Sequence, residues 1–210
     1  MKKVFASIIV SMLLAASLLA QAHSIGLTCT AATGTSPSGY NFFRSLASGS
    51  EGTTPLGLSP AAVCTFTDTA VSAGTKYFYT ATEIVGGVSS PQSVEASATV
   101  PVFAPTNAKL TVNDTTGTVA WAASTDSSAA YNIFVGTSSG GESATPVNPS
   151  PVAAGCSAAT CTYTITGLVI GNSEFIKIQA VINGVSSVAS NEATSAVAVP
   201  TVTGLKAIAQ

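Results

Sequence analysis

The stretch YNFF at residues 40–43 recurs as YNIF at residues 131–134, a distance of 91 residues. Two further pairs recur 97 residues apart: CTFT at 64–67 with CTYT at 161–164, and GVSS at 87–90 with GVSS at 184–187. The two distances differ by a single insertion of six residues. One long period of this kind indicates a duplicated domain and not a solenoid of short repeats.

Short runs of β-forming residues fill both copies, separated by turn-forming Gly, Ser, Pro and Asp. No stretch after residue 22 has a helical period long enough to predict a helix. Many short strands at this spacing predict an all-β sandwich in each copy. The predicted strands are 25–30, 40–45, 63–68, 76–83 and 88–99 in the first copy, and 109–112, 118–122, 131–135, 160–165, 175–182 and 185–199 in the second.

The N-terminus has the pattern of a secretory signal peptide. Lys2 and Lys3 precede an uncharged, largely apolar run over 4–19, and the small-x-small sequence Ala20-Gln21-Ala22 follows. A retained membrane anchor is the alternative, but the apolar run is shorter than the roughly 20 residues that a span prefers. We therefore expect removal of residues 1–22, and a secreted protein, extracellular or at the cell surface, with no membrane span in the mature chain.

Charge is sparse in the mature chain. Of seven basic side chains two belong to the signal peptide, which leaves five scattered ones against nine acidic ones. Nucleic acids and anionic membranes are bound by clustered Lys and Arg, so we expect neither as a partner. The low charged fraction, with abundant Ala, Ser, Thr, Gly and Val, resembles fimbrial subunits and other extracellular assembly proteins more than cytosolic enzymes.

All four cysteines follow the predicted signal peptide, and export leads to an oxidising compartment, so disulfides are expected. Four cysteines allow three pairings. One bridge in each copy is favoured, Cys29 with Cys64 and Cys156 with Cys161. Zinc is the competing interpretation, but there is no CxxC spacing and the chain has one histidine.

Over nearly all of residues 24–199 the two copies resemble fibronectin type III modules, in the form common in bacterial secreted and cell-surface proteins. The matching residues are 40–45, 66–69, 74–79 and the turn at 86–87 in the first copy, and Trp121, 131–134, 167–168, 175–182 and 183–184 in the second. The resemblance implies two tandem fibronectin type III-like (immunoglobulin-like) β-sandwiches, a first module over 23–100 and a second module over 101–199. It also implies a tyrosine corner at Tyr77, with Phe175 at the matching position of the second module.

The two modules differ at their first strand. The second module has a complete one over 105–112, and Trp121 lies on the next strand. Aligning Cys29 with Trp121 leaves the first module only residues 23–28 ahead of Cys29, too few for a first strand. A disulfide from Cys29 would then stand where the second module has its indole.

The C-terminal tail, residues 200–210, repeats the start of the second module. Pro200, Thr201 and Leu205 match Pro105, Thr106 and Leu110 at the same spacing. The tail therefore has the pattern of a first strand with no module behind it. The alternatives are that the first module manages without this strand, that the tail folds back on its own chain, or that it is a frayed linker.

A sandwich without an edge strand exposes backbone groups and an apolar slot. A strand from another copy could fill that slot by β-augmentation, and head-to-tail contacts that do not close make filaments. We therefore predict a homo-polymeric structural subunit, similar in logic to donor-strand complementation in bacterial pili, although the motifs of chaperone-usher pilins are absent. The predicted assembly residues are Ile25 and Leu27 in the acceptor, and Val202, Leu205, Ala207 and Ile208 in the donor.

The sequence offers little catalytic chemistry. His23 would begin the mature chain. An N-terminal histidine on a β-sandwich resembles part of the copper site of lytic polysaccharide monooxygenases, but that site needs a second histidine, and the chain has none. Acidic residues are scattered singly, so we expect no enzyme, no metal site and no cofactor. The alternative function is a monomeric adhesion or ligand-binding module for a cell-surface or carbohydrate ligand. Its aromatic residues, however, lie on strands where the core is expected to claim them.

Overall fold

The structure, a computed structural model, describes residues 22–57, 62–153, 156, 160–201 and 203–208. The predicted signal peptide lies outside these residues except for Ala22. The described residues contain thirteen β-strands and no helix. The strands are β1 Ile25–Thr28, β2 Gly39–Ser45, β3 Thr65–Asp68, β4 Lys76–Val85, β5 Val88–Ser89, β6 Ala96–Thr99, β7 Thr106–Asn113, β8 Thr116–Ala122, β9 Ala130–Gly136, β10 Thr160–Thr166, β11 Ser173–Ile182, β12 Val185–Ser186 and β13 Ala193–Ala196.

The second module is a sandwich of two antiparallel sheets. One sheet has the order β10-β8-β7, and in the other β11 pairs with β9, β12 and β13. Alternating side chains of both sheets form one core, with Trp121 edge-on to Tyr131 at a centroid distance of 5.3 Å. Burial of large aromatic side chains between two sheets is the main stabilisation available to such a domain.

The first module repeats this plan with one sheet reduced. Its larger sheet has β4 paired with β2, β5 and β6, while the other contains β1 and β3 alone among the described residues. Its core falls into two smaller clusters, one around Tyr77 and Tyr79 and one around Tyr40 and Phe42. Leu27 packs against both clusters and joins them.

Strand register relates the two modules residue by residue. Phe66 on β3 lies opposite Leu27, and its repeat Tyr163 on β10 lies opposite Val119. Leu27 of β1 therefore corresponds to Val119 of β8, and by the same count Cys29 corresponds to Trp121.

The long last run predicted in each module is divided into two strands. Ser90 and Ser93 lie between β5 and β6, and their hydroxyls accept hydrogen bonds from the amides of Glu83 and Ala81 on the neighbouring strand β4. Ser187 and Ser190 act in the same way between β12 and β13. These hydroxyls take the place of ladder carbonyls, so the chain follows its neighbour without continuous strand pairing.

The tyrosine corner is present in the first module, where the amide of Ser72 donates to the Tyr77 hydroxyl at 3.1 Å. The prediction that Phe175 is its counterpart in the second module is wrong by one residue. Tyr77 pairs with Ala98, and Glu174 pairs with Ser195. Glu174 follows Tyr77 by 97 residues, and Ser195 follows Ala98 by the same 97 residues, so the two pairs are equivalent. Glu174 therefore holds this position and is buried. Because successive side chains of a strand point to opposite faces, Phe175 lies on the other face of β11 from this position.

Two disulfides are present, Cys29–Cys64 and Cys156–Cys161, with sequence separations of 35 and 5 residues. The first joins the end of β1 to the residue before β3, next to the hydrogen bond from the Cys29 amide to the Cys64 carbonyl. It therefore ties together the only two strands of the reduced sheet that are described.

The two modules meet through residues far apart in sequence. The ring of His23 stacks on Phe103 at a centroid distance of 4.2 Å, and its Nε2 lies 2.8 Å from Oδ1 of Asp126 in the second module. Gly74 lies against Ile182. His23, predicted to begin the mature chain, is a packed side chain at this junction, with 9% of its side chain exposed.

Candidate functional site

The outer edge of β1 is the clearest structural difference between the modules. In the second module β8 is flanked by β10 on one side and β7 on the other. Within the described residues, β1 has only β3, so the edge that corresponds to the β7 side of β8 carries unpaired backbone groups. An open edge of this kind is a template for another strand.

A groove lies beside this edge, between β1 and the larger sheet. It consists of two adjoining cavities of about 310 and 260 Å³, which share Cys29, Ala81 and Ser93. Leu27, Phe42 and Tyr79 extend its lining. In the second module β7 fills the space between β8 and β13, so the groove corresponds to the space of a first strand.

On the rim of the groove, an apolar residue of the first module corresponds to an asparagine of the second module. Asn191 clamps β7 in the second module: its Oδ1 accepts from the Ala108 amide at 2.9 Å, and its Nδ2 donates to the Ala108 carbonyl at 3.0 Å. The corresponding residue is Val94, which lines the groove with 93% of its surface exposed. The first module thus presents an apolar side chain where the second holds its strand by an amide. The sequence pattern of the first strand gave no signal for Val94.

The C-terminal tail is exposed throughout its described part, and no strand is assigned to residues 200, 201 and 203–208. Leu205 is 92% exposed and Ile208 is 86% exposed. Val202 lies outside the described residues. Exposed leucine and isoleucine side chains in one short segment are available for burial elsewhere.

The predicted acceptor residues line the reduced sheet. Ile25 is buried with Tyr77 and Tyr79, and Leu27 is partly buried at the groove. The structure thus brings Ile25 and Leu27 together on β1, and the described tail residues remain separate from them.

The register of β7 predicts how a tail would pair with β1. Leu110 lies opposite Val119, and Thr111 lies opposite Thr118. Replacing these residues by their counterparts places Leu205 opposite Leu27 and Lys206 opposite Gly26. Alternation along a strand then directs Thr203, Leu205 and Ala207 inward, as Ala108, Leu110 and Val112 are in β7. Ile208, predicted as an assembly residue, falls on the outer face.

Other kinds of site find little support in the described residues. Aromatic side chains mainly fill the cores, with Tyr40, Phe42, Tyr79, Trp121 and Tyr131 all buried. They therefore do not form an exposed platform of the kind that stacks on sugars. Among the described residues there is no group of three or more His, Cys, Asp and Glu side chains that could hold a metal ion. The described part of the chain also contains no helix that could cross a membrane.

Comparison with known proteins gives structural matches only. No protein-family model and no curated protein matches the sequence. A two-domain fibronectin type III segment of chicken tenascin is similar over 83% of this chain and 93% of that segment, at 14% identity and a TM-score of 0.60. The chicken interferon gamma receptor alpha chain is similar over 86% of this chain and 100% of that one, at 12% identity and a TM-score of 0.45. A Fn3-like protein from Clostridium thermocellum has 28% identity over 43% of this chain and 86% of its own, with a TM-score of 0.30.

The two sandwiches and the tenascin match together establish the fold. The chain consists of tandem fibronectin type III-like β-sandwiches, and this prediction is confirmed. Function is argued from the site, since one fold carries many functions.

Proposed function

We propose that the chain is a structural subunit of an extracellular or cell-surface filament. Residues 200–208 of one copy add to β1 of the next copy and complete its first module. The observation that carries the proposal is the open edge of β1, at the position where β8 is covered by β7. The exposed tail, which has the sequence pattern of β7, could supply the strand that this edge lacks.

The chemistry of the two surfaces supports this pairing. The groove is lined by Leu27, Phe42, Tyr79 and Val94, and the tail brings Leu205 and Ala207 on its inward face. Burying a leucine side chain contributes about 1.5–3 kcal/mol, and main-chain hydrogen bonds along β1 add directional affinity. Because donor and acceptor lie at opposite ends of the chain, each added copy leaves a new tail and a new groove, so growth continues.

The cellular setting follows from the cysteines and the N-terminal sequence. Two disulfides are characteristic of oxidising compartments, and the signal-peptide pattern of residues 1–22 directs export.

Negative-stain electron microscopy of the mature protein tests the proposal directly. We expect filaments from the intact chain and uniform monomers after deletion of residues 205–210, with the circular dichroism of the sandwiches unchanged. Monomers from both proteins would contradict the proposal and would favour the monomeric adhesion or carbohydrate-binding alternative.

Cross-linking between two copies tests the register. Gly26→Cys in one sample and Lys206→Cys in the other should form an intermolecular disulfide on mixing, because the register places these residues opposite each other. Space for the new side chain at Gly26 is open. Lys109→Cys is the matched control: it is exposed on β7, which is already paired with β8, and should not cross-link to Gly26→Cys.

A further inference from the structure

The outer face of the larger sheet holds a partly exposed ion-pair network in the second module. Nζ of Lys177 lies 3.0 Å from Oε2 of Glu142 and 3.2 Å from Oε2 of Glu192. The Glu192 carboxylate also accepts from the Gly140 amide and the Ser139 hydroxyl, both at 2.8 Å. These hydrogen bonds, the Gly140 amide first, lower the pKa of Glu192 to about 2. One ammonium thus neutralises two converging carboxylates.

The first module repeats the two carboxylates of this network, but a threonine stands at the position of Lys177. By strand register and loop position, Glu142 corresponds to Glu51, Glu192 to Glu95 and Lys177 to Thr80. Glu95 accepts from the Gly49 amide at 2.7 Å and from the Ser48 hydroxyl at 2.9 Å, the same two bonds that Glu192 makes. The Gly49 amide is the main reason that the pKa of Glu95 is lowered.

Buried polar atoms of Glu51 and Thr80 in the first module have no hydrogen-bond partner. Glu51 is 8% exposed and its carboxyl lies within hydrogen-bonding reach of Glu95, and its Oε1 makes no hydrogen bond. The Thr80 hydroxyl, 6% exposed, is also unpaired. In both modules Oε1 of the buried glutamate is unpaired, but in the second the other oxygen contacts Lys177. Among the described residues neither Glu51 nor Glu95 forms an ion pair; the Lys76 ammonium lies near enough to help lower the pKa of Glu95 but does not contact either carboxylate.

We propose that Glu51, Glu95 and Thr80 bind a divalent cation, with Ca²⁺ the preferred ion, where the second module uses the ammonium of Lys177. Two carboxylates in contact repel each other unless a cation or a shared proton lies between them. Carboxylate and hydroxyl oxygens are the ligands of hard cations such as Ca²⁺, and extracellular modules bind Ca²⁺ with dissociation constants of about 10⁻⁴–10⁻³ M. Glu95 is exposed, which gives the ion a path from solvent.

Calorimetric titration of the full mature chain with CaCl₂, together with thermal melting in Ca²⁺ and in a chelator, tests the site. We expect one Ca²⁺ per chain and a higher melting temperature of the first module in Ca²⁺. Glu51→Gln should weaken Ca²⁺ binding at least tenfold. Mg²⁺ at the same concentration should bind more weakly, since it requires a stricter octahedral geometry.

Two exchange variants provide the matched controls. Thr80→Lys supplies the missing ammonium, so the first module should become independent of Ca²⁺ and at least as stable in chelator as the original protein in Ca²⁺. Lys177→Thr should create a second Ca²⁺ site, because it gives the second module the same three side chains.

The proposal is overturned if the intact chain shows no heat of binding and no thermal shift up to about 10 mM Ca²⁺, well above the expected dissociation constant. It is also overturned if Glu51→Gln binds Ca²⁺ as well as the original protein does. Stability of the first module that rises on mild acidification and ignores Ca²⁺ would show that a shared proton, not a metal, occupies the pair.

Discussion

Glu174 is a charged residue at a position that the first module fills with Tyr77. It is 4% exposed, and burial raises its pKa. A carboxyl whose pKa is higher in the folded state favours folding when it is protonated. This contribution to stability is complete below the ordinary pKa of glutamate, and it is lost as the pH rises through the pKa of the folded state. The second module should therefore become less stable as the solution is brought from mildly acidic to neutral pH.

Glu174→Gln removes this titration, because an amide of similar shape carries no charge. We expect a higher melting temperature at pH 7 than in the original protein, with the difference shrinking as pH falls toward 4. Melting curves of both proteins across pH 4–8 measure it. Glu174→Asp is the control, which keeps the charge and should keep the pH dependence; equal slopes for Gln and Glu would refute the assignment.

At the scale of the strand, the tail offers a pair of substitutions that separates inward from outward contacts. Leu205 and Ile208 are both highly exposed in the single chain, so replacing either should leave folding unaffected. In the proposed register Leu205 faces the groove and Ile208 faces solvent. Leu205→Asp should abolish polymers, because it places a charge in an apolar groove, and Ile208→Asp should leave them intact. Electron microscopy and sedimentation of the two variants give the comparison; equal loss in both would contradict the register.

The two disulfides should differ in their contribution to stability. The Cys29–Cys64 bridge has a sequence separation of 35, and the Cys156–Cys161 bridge a separation of 5. Loop-closure entropy then gives about 4 kcal/mol for the first and about 2 kcal/mol for the second. Replacing each pair by serines and measuring denaturant unfolding should show the larger loss in the first module. A larger loss for the second pair would mean that the reduced sheet does not depend on its bridge.

The sequence predicted those elements that repeat locally. The recurring YNFF and CTFT stretches located the strands and aligned Cys29 with Trp121, since each stands across from a cysteine. Contacts between residues distant in the chain could not be predicted in this way. Glu51 and Glu95 meet only because the sheet brings a loop and a strand start together. No local pattern marks the packing of His23 against Asp126.

For the whole molecule, the junction between the modules depends on backbone approaching backbone. Gly74 has φ +68°, and a Cβ at this residue would lie 2.5 Å from the carbonyl oxygen of Ile182 and 2.9 Å from its side chain. Gly74→Ala must therefore separate the modules locally or displace the strand that carries Ile182. The stacked His23 and Phe103 share this junction, so the disturbance should reach them as well.

We expect Gly74→Ala to uncouple the modules without unfolding either one. Calorimetry should resolve two separate unfolding transitions in the variant, and small-angle X-ray scattering should report a wider range of interdomain distances. Gly52→Ala is the matched control, because Gly52 also has φ +68° in the first module but has open space around the position of a Cβ. Both variants carry the same backbone strain, so only the contact with Ile182 distinguishes them. In a filament of such subunits, a looser junction should shorten the persistence length. If filaments of Gly74→Ala are as stiff as filaments of Gly52→Ala, the junction between the modules does not determine filament stiffness.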